Sequence, residues 1–296
     1  MVLSAGPILV TGGTGQLASA LLAGTANRPM VLAGRPEFDF DRLDAILPLL
    51  RAAAPSLIIN AAAYTAVDRA ESEPDAARRA NTDGPRLIAE YCATTRTPLI
   101  HVSTDYVFDG SKHEPYLETD PTNPTTIYGT TKRDGEVAIL ATSAPAMILR
   151  TSWVYAATGR NFVLTMLNAA KKTNELRVVA DQQGCPTAAA DLAAAIIRIT
   201  DQIATIGWSD TWRGIYHAAG SGATTWHGLA TATFAEAAKY GAPLPTVIPI
   251  ATADWPTPAR RPADSRLDCS KLSRTFGIAL PDWRNALSRT ITAVFT

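Results

Sequence analysis

The chain has 296 residues, 47% of them apolar and 18% charged, and its 27 basic side chains balance 27 acidic ones. That size and composition supply ample core for one large globular unit or two interlocked domains, and zero net charge offers no broad attraction to nucleic acid or anionic membrane. Cys92, Cys185 and Cys269 are scattered and lack C-x-x-C spacing, so they fit reduced thiols in a cytoplasm rather than a disulfide framework.

The first predicted strand, Ile8-Leu-Val-Thr11, is far too short to span a membrane and lacks the basic flank of a signal peptide, so a soluble, cytoplasmic protein is expected. Gly12-Gly-Thr-Gly-Gln-Leu17 follows at once. Strand, Gly-rich turn and helix in that order let backbone N–H groups meet a pyrophosphate at a helix N-terminus. The spacing is G-x-x-G-x-x-A (Gly12, Gly15, Ala18), and no Gly-Lys-Ser/Thr follows, which argues against a P-loop. A second strand, Met30–Ala33, ends in Gly34-Arg35. An acid there holds the ribose 2′-OH of NAD, whereas an Arg accommodates the 2′-phosphate of NADP, so Arg35 favours NADPH and leaves NADH as the alternative.

A helix around 44–54 is followed by the apolar run Pro55-Ser-Leu-Ile-Ile-Asn60, a long helix over 74–95, and the strand Pro98-Leu-Ile-His-Val-Ser103. A Pro-rich loop leads to the helix carrying Tyr128 and Lys132, and Met147–Arg150 is the next strand. Apolar strands alternating with helices predict an α/β fold, a parallel sheet covered on both faces that binds ligands at its carboxyl edge. Thr11, Asn60, Ser103 and Arg150 each end a strand, which places Thr104, Asp105 and Trp153 near the Gly-rich turn. Past residue 155 the connections are marked by prolines, helices are predicted at 161–172, 191–203, 225–240 and 282–295, and this half reads mainly as a smaller substrate lobe. Residues 1–155 would form the dinucleotide-binding domain and 156–296 the lobe, with segments near 176–182 and 214–219 as candidates to rejoin the main sheet.

The spacing Tyr128-x-x-x-Lys132 carries the chemistry. Positions i and i+4 share one helix face, so a phenol and an ammonium can reach one reacting atom. An ordinary Tyr titrates near 10, and a partly desolvated Lys is expected to bring it toward about 7 through roughly 4 kcal/mol of differential stabilisation, making a general acid.

Taken in order, Thr11-Gly-Gly-Thr-Gly-Gln-Leu17, Asn60-Ala-Ala-Ala-Tyr-Thr-Ala-Val-Asp68, Ser103-Thr-Asp-Tyr-Val-Phe-Asp-Gly110, Tyr128-Gly-Thr-Thr-Lys132, Arg150-Thr-Ser-Trp-Val-Tyr155, Asp181-Gln-Gln-Gly-Cys-Pro-Thr187 and Arg261-Pro-Ala-Asp-Ser-Arg-Leu-Asp268 resemble the signatures of the dTDP-4-dehydrorhamnose reductase family, in the extended short-chain dehydrogenase/reductase superfamily. The resemblance covers nearly the whole chain. It implies a Rossmann-type doubly wound parallel sheet with a smaller C-terminal substrate-binding lobe, and reduction of the C4 ketone of dTDP-4-dehydro-6-deoxy-L-mannose to dTDP-L-rhamnose with NADPH or NADH. By the same resemblance Tyr128 gives the proton, Lys132 eases its ionisation and holds the nicotinamide ribose, Thr104 bonds the carbonyl, and Asp105 and Trp153 meet the hexose. Gly12, Thr14, Gly15, Gln16 and Leu17 correspond to the pyrophosphate turn, Asp39 and Phe40 to the adenine pocket, and Ala61, Ala62, Ala63, Tyr64 and Thr65 to the cofactor segment after the third strand. Trp226, Arg261 and Ser265 correspond to positions at the nucleotide end of the substrate, and Asn81 to a structural helix residue. Some members dimerise through magnesium held by glutamates just after G-x-P-T; here that stretch is Ala188-Ala-Ala190, so no metal is expected. His101, His113, His217 and His227 show no ligand spacing and are expected in structural or rim roles. The chain is expected as a monomer or homodimer. The rival readings are a 4-ketoreductase or epimerase for another NDP-sugar, and a non-catalytic NADP-binding regulatory subunit.

Overall fold

The computed structural model describes residues 3, 6–24 and 29–296. Its strands, in chain order, are β1 (Ile8–Thr11), β2 (Met30–Ala33), β3 (Leu57–Asn60), β4 (Leu99–Thr104), β5 (Ala146–Thr151), β6 (Val154–Tyr155), β7 (Glu175–Val179), β8 (Gln183–Gly184), β9 (Thr187–Ala188), β10 (Gly214–His217), β11 (Thr224–Thr225) and β12 (Thr246–Ile250). Its α-helices are α1 (Gln16–Ala23), α2 (Leu43–Ala53), α3 (Val67–Ala70), α4 (Pro74–Arg78), α5 (Gly84–Thr95), α6 (Ile127–Ala141), α7 (Phe162–Ala170), α8 (Ala189–Ile206), α9 (Trp226–Ala238), α10 (Ser270–Phe276) and α11 (Trp283–Phe295).

Six strands form one parallel sheet in the order β10-β5-β4-β3-β1-β2. The chain runs outward from β1 to β2, then crosses back to β3 and runs outward the other way. The reversal opens a crevice at the carboxyl ends of β1 and β3, where such sheets bind ligands. The strands read as continuous apolar runs because both faces are covered. On one face Leu17 and Leu21 of α1 meet Leu192, Ile196, Ile199 and Ile203 of α8, while on the other Ile46, Leu50, Ile88, Cys92 and Ile139 of α2, α5 and α6 close over Leu9, Ile58 and Ile148. A further core of Tyr155, Val163, Leu229, Phe234, Trp283 and Leu287 holds α7, α9 and α11 together.

Two features differ from the reading of the sequence, and a third, Gly214–His217, rejoins the main sheet as the sequence offered. The helix over 74–95 is continuous, but residues Arg79–Asp83 widen into a π-helical turn between α4 and α5. Glu175–Val179 does not rejoin the main sheet; it pairs in parallel with Thr246–Ile250. Of that strand Val178 is buried and the rest reaches solvent to some degree, a pattern that suits a two-stranded edge and not a place in a sheet covered on both faces. Gly214–His217 lies beside Ala146–Thr151 in the main sheet, and α8 packs on α1, so the second half of the chain supplies part of the first half's core. Ile196 is fully buried there. Ile196→Ala should therefore cost about 2–5 kcal/mol and leave one cooperative urea transition, measured by circular dichroism and tryptophan fluorescence together; separate transitions for the two probes would contradict the shared core.

Candidate active site

The Gly-rich turn is shaped by backbone. Gly12 has φ +106°, and a Cβ there would lie 3.1 Å from the Ala61 carbonyl carbon, so the turn sits directly against the segment leaving β3. Gly15 N donates to Gly12 O at 2.9 Å, and α1 begins with no side-chain cap and no acidic residue in its first turn. By contrast Thr126, Asn161 and Thr225 accept a hydrogen bond at the starts of α6, α7 and α9. The N–H groups opening α1 are thus left for an external acceptor, and the positive end of the helix favours an anion. Thr14 and Gly15 are exposed, Gln16 Oε1 accepts from Asn161 Nδ2 at 2.9 Å, and Leu17 is buried in the core beneath the turn.

Arg35 extends into solvent, its side chain 70% exposed, with Nε 3.0 Å from Asp39 Oδ1 and Nη2 2.9 Å from Asp41 Oδ2. The Asp41 backbone N–H and then Arg35 hold the Asp39 carboxyl below its ordinary value. Phe40 is a core residue: its ring packs edge-on against Phe38 at 5.2 Å and occupies the space a side chain at Gly84 would need. Ala61, Ala62, Ala63 and Tyr64 are half-buried and Thr65 is exposed beside this turn. Asn81, in the π-helical turn, accepts from Tyr64 N at 2.9 Å and donates to Tyr64 O at 3.2 Å and Thr131 Oγ1 at 3.1 Å. It fastens the segment leaving β3 to α6.

Tyr128 and Lys132 lie on one face of α6, the helix whose N-cap is Thr126. Both are buried. Burial pushes the Tyr128 phenol up to about 12, with the Thr104 hydroxyl in hydrogen-bonding relation to it and pulling it down. The expected shift of Tyr128 toward neutrality is not found, because Lys132 points elsewhere: its Nζ donates to Val102 O at 2.7 Å and lies 3.4 Å from His101 Nε2. Burial drives Lys132 from its ordinary value of 10.5 to about 8, against the pull of Glu136.

Thr104 closes β4, accepts from Tyr106 N at 3.2 Å and donates to Asp105 Oδ1 at 3.0 Å. Asp105 is 2% exposed and its Oδ2 has no partner. Burial raises its carboxyl to about 6, against hydrogen bonds from Ser265 and Thr104. Ser265 is buried beside Asp105, its N donating to Gln183 O at 2.9 Å. Trp153 and Trp226 stack with centroids 3.5 Å apart and planes 7° from parallel, and Trp226 Nε1 donates to Gln182 Oε1 at 3.1 Å. Trp153 adopts φ +48°, and its indole fills the space a Cβ at Gly184 would take. Arg261 is drawn to Asp68, Nη2 to Oδ2 at 2.9 Å and Nη1 to Oδ1 at 3.3 Å, bridging residues 193 apart in sequence. No three His, Cys, Asp or Glu side chains gather as a metal site, and no helix is long and apolar enough to cross a membrane, among the described residues.

Residues 6–295 match the family described as the RmlD substrate binding domain. The chain belongs to that family. Over 288 residues it is 46% identical to the dTDP-4-dehydrorhamnose reductase of Sinorhizobium fredii, covering 97% of each chain. Among solved structures it is similar to the dTDP-4-dehydrorhamnose reductase of Clostridium acetobutylicum, with a TM-score of 0.90 at 32% identity over 98% of this chain and 100% of that one. It also resembles the Bacillus anthracis dTDP-4-dehydrorhamnose reductase in complex with NADP, with a TM-score of 0.88 at 31% identity over 97% and 99% of the two chains.

In this RmlD-family chain the reading of the sequence passed over Glu136 and Asp68 and gave His101 only a structural or rim role. Glu136 accepts from Arg150 Nε at 2.9 Å, Arg150 Nη2 at 2.6 Å and Ser103 Oγ at 2.5 Å, all buried. His101 lies against Lys132, and Asp68 engages Arg261. A signal for the first was present: Tyr128, Lys132 and Glu136 recur every four residues on one helix face.

The position of Lys132 fixes the sign of a pH effect. The unfolded chain keeps that proton to about pH 10.5 and the folded chain only to about 8, so in between the unfolded state binds more protons and raising the pH favours the fold. Relative to Lys132→Met, the ligand-free protein should gain up to about 3 kcal/mol of stability across that window, read from urea midpoints at a series of pH values. Parallel curves for the two proteins would refute the shift.

Proposed function

We propose that this chain reduces the C4 ketone of dTDP-4-dehydro-6-deoxy-L-mannose to the alcohol of dTDP-L-rhamnose, using NADPH in preference to NADH. The observation that carries the reading is the Tyr128–Thr104 pair at the end of β4, on the same carboxyl edge of the sheet from which α1 starts with no side-chain cap. The uncapped turn from Gly12 to Leu17 suits a diphosphate, and the exposed Arg35 suits a 2′-phosphate. The Bacillus anthracis relative, whose structure holds NADP, supports the choice of nucleotide.

When bound, the reduced nicotinamide supplies the hydride. The chain does the rest. As the carbonyl oxygen gains negative charge, Tyr128 Oη hydrogen-bonds it and hands over its proton, with Thr104 Oγ1 steadying the same oxygen. A reduction requires Tyr128 to begin protonated, and burial ensures that it does. An alkoxide is a stronger base than a phenolate, so the transfer runs downhill without bringing the phenol to neutrality. Lys132 has two of its donor directions committed to Val102 O and His101, which leaves one for a ribose hydroxyl and a positive charge below the developing oxyanion. The unpartnered Asp105 Oδ2 would accept from a sugar hydroxyl, and the Trp153–Trp226 stack offers an apolar face to the hexose. Arg261 would engage the diphosphate only by leaving Asp68, so substrate entry would open a tie between the two halves.

Mixing the protein with dTDP-4-dehydrorhamnose and following the absorbance of each reduced nicotinamide tests the reading; oxidation with a different NDP-keto-sugar but not this one would select another 4-ketoreductase, and none at all would select a binding role. Tyr128→Phe should lower kcat by about 10²–10⁴ with nearly unchanged NADPH affinity, and near-normal turnover would remove Tyr128 as the acid. Arg35→Ala should weaken NADPH more than NADH in fluorescence titrations; equal weakening would make it a bystander.

A further inference from the structure

The polar surroundings of Lys132 continue as a chain of side chains to the Gly-rich turn. His101 Nε2 is 3.4 Å from Lys132 Nζ, and the other ring nitrogen, Nδ1, is 2.9 Å from Asn60 Nδ2. Asn60 Oδ1 accepts from Thr11 Oγ1 at 2.5 Å, and that hydroxyl accepts from Ala62 N at 3.2 Å. Thr11, Asn60 and His101 are each fully buried. They stand in register on three adjacent strands, Thr11 opposite Asn60 and Asn60 opposite His101. The row therefore runs from the carboxyl ends of β1 and β3 to the middle of β4.

Valence fixes the direction of this row. Burial, and then the Lys132 charge, hold the His101 imidazole well below its ordinary value, so it is neutral and carries one N–H. With the Asn60 amide nitrogen facing Nδ1, the proton sits on Nε2 and points at Lys132; an ammonium has no lone pair to receive it, but an amine does. With Lys132 charged, Nε2 must accept, the proton moves to Nδ1, and Asn60 must present its Oδ1 to the ring and its NH2 to Thr11. Each charge state of Lys132 thus has one consistent arrangement.

We infer that Thr11, Asn60 and His101 form a hydrogen-bond chain whose direction reverses with the protonation of Lys132, making His101 a positioning residue for Lys132 and coupling its charge to the backbone beside the Gly-rich turn. The inference deepens the proposed function and rests on Lys132 serving that site. The other buried titratable or charged groups on α6, on β5 and just beyond β4 are Tyr128 and Glu136, Arg150, and Asp105. Glu136 and Arg150 are paired with each other, and Glu136 is the one that acts on Lys132.

The direct test is the ¹⁵N-imidazole NMR spectrum of the full chain saturated with NADP⁺. There are four histidines, and the loss of one set of signals in His101→Gln assigns the ring. The expected result is the Nδ1–H tautomer at about pH 6 and the Nε2–H tautomer at about pH 10, with no imidazolium between. One tautomer throughout, or a protonated ring, overturns the inference. Kinetics give a second reading. His101→Leu removes an acceptor from the ammonium and should move the basic limb of kcat against pH down by about one unit, a tenfold loss of proton affinity, while His101→Gln, whose amide can accept or donate, should hold it in place. A lower melting temperature in both variants with an unmoved limb would mean that His101 only fills space, and it too overturns the inference. Should His101→Leu fail to fold, the spectrum of the unsubstituted protein decides. Tyr128→Phe separates the two levels: full turnover in that variant alongside a tautomer switch defeats the catalytic assignment and leaves the chain standing, whereas lost turnover with a fixed tautomer does the reverse.

Discussion

The site depends on how three charges are kept out of water beneath it. Lys132, Glu136 and Arg150 are each about as buried as a core leucine, and an isolated charge in such a place costs several kcal/mol even after relaxation. Glu136 makes the arrangement tolerable by taking two hydrogen bonds from Arg150 and one from Ser103 while drawing on Lys132 one turn back along α6. The ion pair therefore clamps α6 to the ends of β4 and β5. Tyr128 and Lys132 inherit their positions from that clamp, and the phenol sits where burial keeps its proton on.

A second constraint works from the other side of α6. The π-helical turn at Arg79–Asp83 carries Asn81 inward, where it binds the Tyr64 backbone and the Thr131 hydroxyl, and Thr82 Oγ1 donates to Thr131 O at 2.8 Å. A side chain at Gly135 would collide with Asn81 O, so at that point helix and turn meet backbone to backbone. π-helical turns are commonly found at functional sites. Here the widened turn fixes the separation between the segment leaving β3 and the face of α6.

Much of this was legible in the sequence. The strand–glycine–helix order and the apolar strands gave the doubly wound sheet, and the i, i+4 spacing gave the shared face of Tyr128 and Lys132. What the sequence withheld came from tertiary contact. Nothing local says that Lys132 turns toward Val102 O and His101, since the acceptors lie on a neighbouring strand. Ser265 and Asp105 are 160 residues apart, and their meeting depends on how the loop through Asp264 returns to Gln183. Glu175–Val179 left the main sheet for a simpler reason: a short β-branched run has the same local signature whether it joins the large sheet or pairs elsewhere.

The place of β10 in the large sheet, and of α8 against α1, limits how such a chain can change its sugar. A lobe that folded by itself could be exchanged as a cassette, carrying new recognition onto an old nucleotide platform. This lobe cannot, because cutting it away would strip an edge strand and most of one helical layer from its host. Any change in the second half is instead made piecemeal, inside one cooperative unit that it shares with the first half.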